Sequence, residues 1–114
     1  MKIVNTIKII PYTTSTGKQP FLAWQKKLST KTESIVLTHL GRVKGGNFGS
    51  CKPVKGSRSI YEICIDYGPG YRIYYGKHGA TIVVLLAGGE KGSQDRDIAK
   101  AKEYWLDFKG QEHD

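Results

Sequence analysis

Arg72 and Lys91 flank an apolar run, with Gln94 shortly after, and no obvious acid–base pair accompanies them. A guanidinium presents a planar fork that matches two phosphate oxygens, and an ammonium adds a compact positive charge. Residues of these types suit a phosphate site, in which cations and an amide stabilise negative charge without requiring a metal.

The elements that must position them can be read from the surrounding pattern. Gly68-Pro69-Gly70 is a turn signal, because proline fixes φ and glycine accepts the left-handed region. Before it, Ile60 to Asp66 alternates, placing Tyr61, Ile63 and Ile65 on one face and Glu62, Cys64 and Asp66 on the other. After it, Tyr71, Ile73 and Tyr75 oppose Arg72 and Tyr74. Lys77-His78-Gly79 supplies a second turn, and Thr81 to Ala87 is β-branched and apolar on both faces, as in a covered central strand. The spacing predicts a three-strand meander with one polar, cation-bearing face.

Beyond Gly88-Gly89 the pattern predicts a helix entry. Ser93 suits an N-cap, Asp95 and Asp97 suit the positive end of the helix dipole, and Ile98, Ala101, Trp105 and Phe108 form an apolar stripe. Nearer the start, Lys2 to Ile10 reads as a strand ending at Pro11, and Thr13 to Gly17 as a polar loop. Pro20 opens a helix with Phe21, Trp24 and Leu28 on its stripe. Ser29 and Thr30 break that helix, and a second carries Ile35, Val36, His39, Leu40 and Val43 before Gly45-Gly46 ends it. The expected class is α+β in the order βααβββα, with an antiparallel-rich sheet of about four strands, two N-terminal helices and one C-terminal helix.

At 114 residues the chain is expected to form a single domain, residues 1–114, whose core needs no staple. Its formal charge of +8 is uneven: residues 1 to 59 hold 11 Lys or Arg against one acid, Glu33, and residues 60 to 114 hold 7 against 9 acids. The basic half is the expected contact for a polyanion, which it would attract without reading sequence. Absence of a long apolar run or a leader pattern predicts a cytoplasmic protein, with Cys51 and Cys64 as free thiols. His39, His78 and His113 have no ligand spacing with the cysteines, and no phosphate-binding loop precedes a helix, so neither metal nor nucleoside triphosphate is expected.

Gly46-Asn47-Phe48-Gly49, Lys52-Pro53-Val54, the Glu62 strand, Tyr67-Gly68-Pro69-Gly70-Tyr71-Arg72, Gly88-Gly89-Glu90-Lys91 and Gln94 to Ile98 occur in one order. Together they resemble the RelE/ParE toxin superfamily, within it the phage Gp49-like, HigB-type branch of addiction-module killer proteins. The similarity covers roughly residues 18 to 106. The loop from Pro11 to Gln19 departs from the family's short first connection. The strand on which family members carry lysines here bears Glu62 and Cys64, and a tyrosine or histidine expected near the C-terminal end is replaced by helix residues around Asp95 and Asp97.

The resemblance implies a RelE-like fold and the toxin of a type II toxin–antitoxin pair that cuts messenger RNA in the ribosomal A site. It implies no cofactor, no membrane, and a partner antitoxin with a helix-turn-helix DNA-binding domain, a heterotetramer being one assembly open to the pair. In that reading Arg72 clamps phosphate, Lys91 stabilises developing charge, and Lys52 contacts the substrate backbone and is a candidate acid or base. Arg58, Tyr74, Gln94 and Arg96 are candidate substrate contacts. Glu62 and Asp97 are candidate proton carriers, each with a structural alternative: Glu62 pairing with Arg72 across the strands, Asp97 serving the helix end. Two other functions stay open, a non-enzymatic poison of a protein target such as DNA gyrase and a degenerate antitoxin-binding domain.

Overall fold

Alternation along the first two strands of the meander gives one apolar face, and the continuously apolar last strand puts core residues on both, so the sheet must be covered twice. In the computed structural model, which describes residues 6–111, the elements run β1 (Lys8–Pro11), α1 (Pro20–Lys26), α2 (Thr30–Lys44), β2 (Cys51–Pro53), β3 (Ile60–Ile65), β4 (Tyr71–His78) and β5 (Ile82–Glu90). A 3₁₀ turn, Lys91–Ser93, then leads into α3 (Gln94–Gly110). The α+β class holds. Among the described residues the sheet has five strands, in the order β1-β5-β4-β3-β2.

The count differs from the expected four because Cys51–Pro53 pairs antiparallel with β3, Lys52 lying opposite Glu62. A three-residue edge strand ending in proline carries too little periodicity to be seen beforehand. The sheet is mixed, since β1 runs parallel to β5 and joins Lys8 to Ile82. Residues 2–5 of the expected first strand, and His113, lie outside the described residues.

One face is covered by α1 and α2. Ile63, Ile65, Ile73, Tyr75, Val83 and Leu85 pack there against Phe21, Val36, Leu40 and Val43. Ser29 caps α2 by accepting from the Thr32 amide at 3.2 Å, and Gly45 and Gly46 end it. The opposite face is covered by α3, where Ala101, Trp105 and Phe108 meet Ile60, Tyr74, Val84 and Leu86. A register shift at Tyr74/Tyr75 turns both Leu86 and Ala87 toward α3.

β5 continues past the expected Ala87 to Glu90 because Gly88 and Gly89 are seats for other side chains. A Cβ at Gly88 would fall on the Trp24 ring, and one at Gly89 on the Asp97 carboxylate. Helix α3 starts at Gln94, directly after the expected N-cap Ser93. Ser93 holds the N-cap position, yet its hydroxyl donates to Asp97, with the Glu90 carbonyl also within reach, instead of capping an amide.

Candidate functional site

The polar residues of the meander collect on the α3 side, near the end of the sheet closed by the Gly68-Pro69-Gly70 turn. Gly68 and Gly70 adopt φ of 56° and 84°, which other residues rarely accept. The Gly70 amide donates to the Tyr67 carbonyl, and its own carbonyl accepts from the Lys91 amide, each at 2.9 Å. The turn is thereby tied to the end of β5. Arg72 and Lys91 consequently line one cleft of about 340 Å³ with Cys64, Asp66 and the turn itself.

Arg72 is half-buried. One terminal nitrogen donates to the Tyr71 carbonyl at 3.2 Å, and Nε is buried without a partner among the described residues. Its cross-strand neighbour is Cys64, whereas Glu62 faces Tyr74, so the expected Glu62–Arg72 pair does not form. Glu62 instead meets Lys52 from the edge strand, with Oε1 3.4 Å from the ammonium.

Glu62 is 3% exposed and is held on both oxygens. Oε2 accepts from Gln94 Nε2 at 3.2 Å, and the Cys64 thiol lies 4.0 Å from Oε1. Burying a carboxylate is costly unless it is paired and hydrogen-bonded, and Lys52, Gln94 and Cys64 meet that need. Gln94 belongs to the first turn of α3, so this contact also fastens the helix start to β3.

Asp97, one turn further along α3, accepts from Ser93 and sits over Gly89. Lys91, Gln94 and Arg96 line a neighbouring groove of about 390 Å³, and Arg58 stands exposed on the loop between β2 and β3. Tyr74 is corrected by the structure. It is fully buried in the α3-side core, so its ring is not available to stack on a base. Its hydroxyl has no hydrogen-bond partner among the described residues, and burial, with Glu62 and Asp97 adding to it, raises its pKa well above the usual phenol value.

Sequence reasoning missed Cys64, Ser93 and Gly89 as parts of this cluster. Alternation already put Cys64 on the Arg72 face, and the Gly-Gly-Glu-Lys-Gly-Ser stretch hinted at a tight approach. Among the described residues no group of three or more His, Cys, Asp or Glu could hold a metal ion, and no helix is long and apolar enough to cross a membrane.

No protein-family model matches the chain. A Haemophilus influenzae protein described as uncharacterized is 39% identical over 83 residues, which span 72% of this chain and 82% of that protein. Similarity of that depth and extent shows common descent, and the chain belongs to the same family as that Haemophilus influenzae protein.

Proposed function

We propose that this chain is a HigB-type toxin of the RelE/ParE superfamily, a ribosome-dependent endoribonuclease acting on messenger RNA and neutralised by a helix-turn-helix antitoxin. The observation that carries the reading is the convergence of Arg72 and Lys91 on one cleft, beside a buried Glu62 that holds Lys52 and Gln94. The RelE-like identity of the α+β fold belongs to the same proposal.

In the reaction the 2′-oxygen of one nucleotide attacks the adjacent phosphorus and the bond to the 5′-oxygen breaks, leaving a 2′,3′-cyclic phosphate and a 5′-hydroxyl. Arg72 and Lys91 stabilise the charge gathered on the phosphorane oxygens, which commonly contributes on the order of 10²- to 10³-fold per donor. Lys52 protonates the departing 5′-oxygen. Glu62, released when Lys52 turns to the substrate, takes the 2′-hydroxyl proton. Transfers of this kind contribute about 10²- to 10⁴-fold.

The experiment is to map messenger RNA 5′ ends after brief induction of the wild type and of Arg72→Ala, with translation running or blocked. Translation-dependent cuts that vanish in Arg72→Ala support the nuclease. Growth arrest without new cuts replaces it with a protein target such as gyrase. Absence of arrest supports an antitoxin-binding domain that has lost activity, a reading favoured by the way Lys52 and Gln94 cover Glu62.

A further inference from the structure

The opposite face of the sheet holds a cavity that this chemistry does not use. It lies between the C-terminal half of α2 and the edge strand β2, encloses about 180 Å³, and has Val43 and Ile63 among its walls. That is several times the roughly 30 Å³ one water occupies in the liquid. Its polar lining includes His39, Arg42, Asn47 and Ser50, and no carboxylate lines it.

Arg42 is donor-only, and Asn47 is biased toward donating. The Asn47 carbonyl oxygen already accepts from the Gly49 amide at 2.9 Å, which leaves the NH₂ end for a ligand. His39 Nδ1 lies 3.0 Å from the Ile35 carbonyl, which can only accept, so Nδ1 carries the hydrogen and Nε2 presents the acceptor lone pair of the neutral ring. The Cys51 thiol is pushed up by burial and stays neutral, so it offers no thiolate to a cation. Lys77 adds positive charge nearby: its ammonium is held 4.8 Å from the Phe48 ring centroid and 4.7 Å from that of Tyr61, and its field bears on Cys51.

A helix C-terminus would ordinarily repel an anion. Here the last carbonyls of α2 are engaged, Gly41 by the Gly45 amide, Val43 by Gly46 and Arg42 by Asn47, at 2.8 to 3.0 Å. Arg42 and Lys44 stand in the same final turn.

We propose that this cavity is a second phosphoryl-binding site, separated from the Arg72 cleft by the thickness of the sheet, whose ligand is either free phosphate or a phosphate of a nucleic acid strand. Arg42 supplies the fork, with Asn47 and Ser50 as donors beside it.

The test uses the full ¹⁵N-labelled chain carrying Arg72→Ala, titrated at constant ionic strength with inorganic phosphate, with a short oligouridylate, and with chloride. Saturable amide shifts at residues 39, 42, 47, 49 and 50 with inorganic phosphate establish a free-anion site, and the same shifts with oligouridylate alone establish a strand-backbone site. Arg42→Ala should weaken either roughly tenfold, the scale of losing a hydrogen bond to a charged group, and Arg42→Lys should restore part of it. Arg42 is exposed on its helix, so an unchanged spectrum elsewhere verifies folding. Equal shifts with chloride, shifts indifferent to Arg42→Ala, or no shifts with either phosphate probe overturn the proposal.

Discussion

The two faces of β3 and β4 share a backbone and differ in almost everything else. Toward α1 and α2, Ile63, Ile65 and Ile73 pack against Phe21, Val36 and Val43. Toward α3, the intervening positions carry Glu62, Cys64, Arg72 and Tyr74, with a buried carboxylate and, among the described residues, a phenol and a guanidinium nitrogen that have no partner. Each unpaired buried polar group costs free energy, and among the described residues Arg72 Nε, the Tyr74 hydroxyl and the Trp105 indole nitrogen place more of that cost on the α3 side than the Tyr75 hydroxyl places on the other. The comparison teaches that adjacent residues in one strand can belong to different tasks, and that Arg72 and Ile73 are where to separate them.

The largest separation is expected there. Ile73→Ala leaves a cavity in a fully buried position and should lower unfolding free energy by roughly 2–5 kcal/mol in urea titration. Arg72→Ala, one residue away, should leave stability within about 1 kcal/mol of wild type, since surface-reaching substitutions seldom cost more. Comparable losses from both would erase the distinction between the faces.

Alkaline titration probes the α3 side next. The Tyr12 hydroxyl donates to Asp107, and burial pushes its pKa up from 10.0 to about 12. The unfolded phenol therefore ionises first as pH rises. Stability should hold below pH 10, decline by up to about 1.4 kcal/mol per pH unit for this group, and level above pH 12. Tyr12→Phe should make the decline shallower in unfolding measured from pH 9 upward.

A smaller contrast sets two glycines against each other. A Cβ at Gly76 would meet the ring of Trp105, which is buried under α3, and one at Gly88 would meet Trp24, which is only half-buried on the α1 side. Gly76→Ala should cost roughly 1–3 kcal/mol by overpacking, and Gly88→Ala less, because its ring can yield toward solvent. Equal costs by chemical denaturation would mean both rings are equally fixed. The smallest effect belongs to Tyr74→Phe. Removing a buried hydroxyl that has no hydrogen-bond partner among the described residues should be neutral or stabilising by up to about 1 kcal/mol, and a clear loss would reveal a partner for that oxygen.

Much of this architecture was legible in the sequence because strict alternation and capping chemistry are local. The split of Tyr61, Ile63 and Ile65 from Glu62 and Cys64, the α3 stripe from Ile98 to Phe108, and the Ser29 break all follow from neighbours a few residues apart. What stayed hidden depends on register between distant segments. Nothing near Glu62 in sequence announces that Lys52 will stand across from it, or that Arg72 will face Cys64 instead. Tyr74 shows a further gap: sharing a face with Arg72 predicts orientation correctly, yet whether that face is open or covered is decided by α3, whose Ala101 and Trp105 lie over it.

The parallel pairing of β1 with β5 has a temporal side. The first described strand to leave the ribosome pairs only with Ile82–Leu85, so it waits for the synthesis of some seventy intervening residues before its neighbour exists. Helices α1 and α2 emerge in the same interval with Phe21 and Val36 facing a sheet that does not yet exist. The bond from the Lys91 amide to the Gly70 carbonyl, which joins the two walls of the cationic cleft, forms later still. Under the proposed activity, a nascent copy is inert toward the ribosome that is making it until Lys91 has emerged and closed this bond.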